Sequence, residues 1–131
     1  MAAEVTVTQV IEVNSLTGGD EYLCHKFTNG NTPAELVSGR PIISNTSVTL
    51  DLGDIAAGSG FLLYVEALVG NVYVLLNATA GDPILTTAEL YILEGEGYII
   101  PINPNATAMT GVRLISDEET TGQIKYMLIG K

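Results

Sequence analysis

The sequence holds one histidine and one cysteine, His25 and Cys24, side by side. A thiol and an imidazole act as a nucleophile pair only within hydrogen-bond reach of each other. In an extended segment, neighbouring side chains point to opposite faces. The pair is therefore predicted to be split. His25 shares a face with Leu23 and Phe27 and reads as structural, and Cys24 shares one with Tyr22 and Lys26 and reads as an inert, partly buried thiol. One histidine builds neither a triad nor a multi-histidine metal centre. One cysteine allows no internal disulfide and no cysteine-based zinc site.

Carboxylates are the numerous ionisable type. Asp51 and Asp54 flank Leu52-Gly53, Glu94 and Glu96 flank Gly95, and Asp117-Glu118-Glu119 form a run. Two carboxylates across a sugar make a glycosidase, but sugar sites also use aromatic platforms. The chain has no Trp, two Phe and six Tyr. Asp51–Asp54 lacks the oxygen-ligand spacing of an EF-hand loop, and Asp117–Glu119 reads as a solvated turn rather than a calcium site. Glu94-Gly95-Glu96-Gly97 reads as a bend between strands, because no helix start or Lys follows to make a phosphate loop. Arg40, before Pro41, and Arg113, inside a strand, read as surface ion-pair formers of little energetic weight. No catalytic residue, metal site or cofactor site is expected, and so no enzyme.

The elements that would carry a site follow from composition and period. The chain has 131 residues, and 5 cationic against 15 acidic side chains give a net charge of −10. Charged residues are only 15% while hydrophobic ones are 47%, with a mean hydropathy of +0.33. Disorder requires the opposite balance. So acidic a chain makes no nucleic-acid groove and is repelled by anionic lipid. The opening Met-Ala-Ala-Glu-Val-Thr does not read as a signal peptide, and no apolar run approaches a membrane span. The N-x-Ser/Thr triplets at Asn45, Asn77 and Asn105 read as chance matches. The length predicts one domain, residues 1–131, with a core that needs no staples.

The dominant period is two. Val5, Val7, Ile11 and Val13 alternate with Thr6, Thr8 and Glu12; Val48, Leu50 and Leu52 alternate with Thr49 and Asp51. Val72, Val74 and Leu76, and then Ile124, Tyr126 and Leu128, repeat the pattern. Such runs, rich in β-branched residues and cut by Gly/Asn/Asp clusters, are strands. Strands are placed near 3–14, 21–28, 46–52, 61–68, 72–77, 88–94, 97–102, 111–116 and 123–129, with a hairpin at Gly70-Asn71. The expected fold is all-β: a single jelly-roll-like sandwich of about eight short antiparallel strands. Pro33–Val37 is the only segment read as helical, one turn capped by Thr32. Residues 29–45 are read as a long irregular loop, where contacts to other molecules concentrate on a rigid scaffold.

Phe61–Leu68, Tyr98–Ile102 and Tyr126–Ile129 are apolar on both faces. A small sandwich leaves one face of each sheet towards solvent. Strands of this kind predict a covered outer face, by loops or by another subunit.

The segments Asn71-Val72-Tyr73-Val74, Leu93-Glu94-Gly95-Glu96-Gly97-Tyr98-Ile99-Ile100-Pro101, Gly111–Ser116 and Gly122–Gly130 together resemble the small β-sandwich virion proteins of tailed bacteriophages. The resemblance is one of turns and strands, over the C-terminal half of the chain. It implies a capsid decoration (cement) protein that binds major capsid or other virion subunits as a homo-oligomer, a trimer above all. Such a protein is made in the host cytoplasm and ends in the virion. The family brings no catalytic residues. The expected partner contacts are an N-terminal arm, Met1, Ala2, Ala3 and Glu4, and the long loop through Asn31, Pro33, Leu36, Arg40 and Pro41. The alternative is a lectin-like or host-receptor-binding module of a tail or fibre, using Tyr22, Tyr64 or Tyr91.

Overall fold

A computed structural model describes residues 3–14, 19, 21–30, 32–53, 55, 59–76, 88–101 and 111–130. The expected contacts Met1, Ala2 and Asn31 lie outside these residues, as do Asp54 and the triplet positions Asn77 and Asn105. The chain divides into two compact units, Met1–Pro33 and Ala34–Lys131, where length alone predicted one domain.

The first unit is a hairpin whose ladder closes on itself. β1 (Thr6–Val13) pairs antiparallel with β2 (Glu21–Thr28), from Thr6 opposite Thr28 to Val13 opposite Glu21. The Asn29 amide donates to the Val5 carbonyl at 2.8 Å and extends the ladder. Alternation puts Val7, Phe27, Ile11 and Leu23 on one face, with the His25 and Phe27 rings 5.3 Å apart. Cys24 lies on the other face opposite Val10, which separates it from His25 as predicted. It is exposed rather than partly buried, because a two-stranded ladder offers little to cover it. Val10, Ile11, Tyr22 and Leu23 are exposed as well.

The second unit is a two-sheet sandwich. Its strands are β3 (Glu35–Gly39), β4 (Ile42–Ile43), β5 (Val48–Thr49), β6 (Gly60–Val69), β7 (Val72–Leu75), β8 (Leu90–Ile92), β9 (Gly97–Pro101), β10 (Arg113–Ser116) and β11 (Gly122–Gly130). One sheet has the order β5-β10-β7-β8 and the other β3-β11-β6-β9, with β4 also paired to β11. Every pairing is antiparallel. The core forms where inward residues of the two sheets meet. Leu63, Val65 and Ala67 of β6 and Ile124, Tyr126 and Leu128 of β11 face Val72 and Val74 of β7, Ile92 of β8 and Leu114 of β10. Period-two alternation on the long central strands β6 and β11 is therefore what assembles the core.

The structure differs from three local expectations. The supposed irregular loop contains β3 and β4, which together form one interrupted edge strand along β11. Pro33–Val37 is not helical: Leu36 and Val37 pair with Ile129 and Leu128, and ladder pairing outcompetes an isolated helical turn, which has no stability of its own. Nor is Gly70-Asn71 a hairpin. β6 and β7 belong to different sheets, so this turn carries the chain across the sandwich.

Three such crossings meet at one end: β6 to β7, β8 to β9 and β10 to β11. Their polar groups bond to one another. Asp117 accepts from the Asn71 amide at 2.8 Å and from Asn71 Nδ2 at 2.6 Å. The Gly70 amide donates to Glu94 Oε2 at 2.7 Å, and the Glu94 amide donates to Asn71 Oδ1 at 3.0 Å. Glu96 Oε2 accepts from Tyr98 Oη at 3.0 Å. Glu94, Glu96 and Asp117, three of the carboxylates singled out in the sequence, are thus turn clamps that satisfy backbone donors. Among the described residues, no group of three acidic, His or Cys side chains could hold a metal ion. No helix among them is long and apolar enough to cross a membrane.

Candidate binding site at the sheet edge

The interrupted edge strand builds the site. Pro41 has no N–H to give to the ladder and disfavours a helical Arg40, so pairing stops between Gly39 and Ile42. The gap is pinned rather than loose. Gln123 Nε2 donates to the Arg40 carbonyl at 3.3 Å, and the Ile124 amide donates to the Pro41 carbonyl at 3.3 Å. Gly39 stands opposite Tyr126, where a Cβ would come within 3.1 Å of the tyrosine ring. The small residue leaves room for that ring at the edge.

Beside the gap, the β4 edge of one sheet and the β5 edge of the other stand apart. Between them lies a cavity of about 540 Å³. Its walls are Pro41, Ile43, Val48, Leu50, Leu114 and Tyr126, and Arg40, Thr49 and Asp51 supply its polar groups. A mostly apolar hollow with a few convergent polar groups is the usual form of a small-ligand site. It suits an apolar group carrying one anionic or hydrogen-bonding end.

Tyr126 closes the inner wall. Its hydroxyl donates to the Asp51 carbonyl at 3.0 Å. Burial, and then the Asp51 charge, push its ionisation above the usual tyrosine value. Tyr64, on the outer face of the same sheet, is raised by burial, by the 2.8 Å hydrogen bond its hydroxyl gives Glu66, and by that carboxylate's charge. A phenol whose folded-state pKa lies above its unfolded value of about 10 stabilises the fold fully below that pH. The contribution is lost as pH rises through the folded-state pKa. Stability should therefore hold level up to about pH 10 and fall above it, less steeply in Tyr126→Phe and Tyr64→Phe. Urea midpoints measured across this range check it, and an equally steep fall in both variants would contradict it.

Of the residues picked from sequence, Arg40 and Pro41 line this cavity. Leu36 is an outward, exposed residue of β3, and Pro33, half-buried, precedes that strand in the first unit. Ala3 and Glu4 are exposed in the first unit. The structure brings Arg40 and Pro41 together with Leu50, Asp51, Leu114 and Tyr126, which the sequence did not connect with them. The one available signal was Tyr126, an aromatic in the inward phase of its strand. Arg113 Nη2 donates to Ser47 Oγ at 2.6 Å. Tyr91, named for the alternative reading, stacks on Tyr73 with ring centroids 4.7 Å apart.

Comparison with known proteins finds no matching family model, no matching curated protein and no matching solved structure.

Proposed function

We propose that the chain is a structural protein of a tailed-phage virion, a decoration or cement protein that binds capsid subunits and works as an oligomer without catalysis. The observation that carries this reading is the outer face of the β3-β11-β6-β9 sheet. Register places Leu36, Ile129, Leu62 and Pro101 in one row and Ser38, Met127, Tyr64 and Ile99 in the next. Leu62 and Ile129 are buried, while Leu36, Met127 and Ile99 are 59%, 37% and 36% exposed. Contiguous apolar surface of this kind marks interaction sites. The resemblance of the C-terminal half to phage accessory proteins supplies the assembly, and repetition on a lattice makes weak contacts sufficient.

Sedimentation of the purified chain should show a defined oligomer, and capsids lacking the protein should lose thermal resistance. A monomer together with unchanged capsids would sink the proposal. The edge cavity favours a second reading, a ligand-binding module of a tail or fibre. Glycan-array binding that is lost on filling the cavity by Leu50→Phe would select that reading.

A further inference from the structure

A second hollow, of about 270 Å³, lies on the outer side of the same edge, between Ser38, Arg40, Tyr64, Lys125 and Met127. We propose that it binds a small oxyanion, the carboxylate or phosphate group of an organic ligand.

The whole chain has five Lys and Arg against fifteen acids. Two of those five cations line this one hollow. Among the described residues neither forms an ion pair, and the Ser38 hydroxyl forms no hydrogen bond there. Three donor groups around one hollow are therefore without an acceptor from these residues, in a molecule rich in acceptors.

The local acid does not fill that role. Glu66 is the cross-strand partner of Lys125 and shares its face. Its carboxylate takes the Tyr64 hydroxyl at 2.8 Å. Arg40, Lys125 and Glu66 sum to one residual positive charge, which a monoanion balances. Arg presents a planar fork that fits a carboxylate or phosphate in two-point contact, Lys adds a point charge, and Ser38 can donate a third bond. Tyr64 and Met127, adjacent across β6 and β11, form an apolar wall for the rest of the ligand. The pinned strand break holds the Arg40 backbone in place, so part of the ordering cost of binding is already met.

The test is a titration of the isotope-labelled full chain with sodium acetate, inorganic phosphate and sodium chloride at constant ionic strength, followed by NMR. Acetate or phosphate should give saturable shifts centred on Ser38, Arg40, Lys125 and Met127, and the tighter of the two names the group recognised. Arg40→Gln with Lys125→Gln should weaken binding by about tenfold or more, the weight of charge-assisted hydrogen bonds. Both are solvent-facing substitutions, and an unchanged melting curve confirms the fold. Shifts that never saturate, that chloride reproduces, or that survive the double substitution overturn the proposal.

Discussion

Replacing Leu128 by alanine lowers the stability of the sandwich by about 2–5 kcal/mol. Leu128 lies on β11 between Val37 of β3 and Leu63 of β6, and is fully buried. It belongs to the cluster in which the two sheets meet, so truncation loses its transfer free energy and opens a cavity between sheets that cannot close on each other. The neighbouring residue is the control. Met127 points to the opposite face and is 37% exposed, so Met127→Ala removes little buried surface. Its cost to the isolated chain should stay below about 1 kcal/mol. Chemical denaturation checks the pair, through midpoints at unchanged slope. Equal costs at the two positions would mean that the strand's two faces are assigned wrongly.

Gly70→Ala is expected to cost nearly as much, for a different reason. Gly70 has φ of +75°, a left-handed conformation that costs other residues about 1–2 kcal/mol. A Cβ there would also lie 2.5 Å from Glu118 Cγ, 2.9 Å from Ser116 Oγ and 3.0 Å from Asp117 Oδ1. Ser116 is buried, and it is wedged from the other side by Gly122, where a Cβ would collide with the same side chain. Ser116 has no room to retreat, because its hydroxyl also accepts the Glu118 amide at 3.1 Å. Strain and overpacking together predict a loss of about 2–4 kcal/mol. Adding Ser116→Ala removes one colliding atom, so the double variant should be less destabilised than the sum of the two single ones. Additive losses would show that the Ser116 hydroxyl is not what resists a Cβ at Gly70.

These two positions show what could be read from sequence. Alternation along β7 and β11 identified the inward residues, because burial on one face leaves a period-two trace in a single strand, whereas β6, apolar on both faces, leaves none. The apolar outer rows were legible for the same reason: Leu62, Met127 and Ile129 are out of phase with the core and still hydrophobic. Gly70-Asn71 was misread because two strands joined by a Gly-Asn turn carry the same local signal whether they pair or part. What decides is Asp117, forty-six residues on, which takes both Asn71 donors. β3 and β4 were missed because an interrupted edge strand buries few residues: Val37 partly and Ile43 fully. The cavity was invisible for a related reason. It needs residues 39–51 beside Leu114 and Tyr126, a juxtaposition that only strand register creates. Arg40 and Pro41 were singled out as members of the loop read at 29–45, because Gly and Pro punctuate that stretch.

In the proposed role this sandwich is a building block whose apolar outer sheet face is covered in an assembly. Electron cryo-microscopy of native particles carrying the protein tests it most directly. A decoration role predicts ordered copies on the capsid lattice, with Leu36, Ile99 and Met127 buried against a neighbouring subunit. Particles without the protein, or copies whose outer face stands open to solvent, would contradict it.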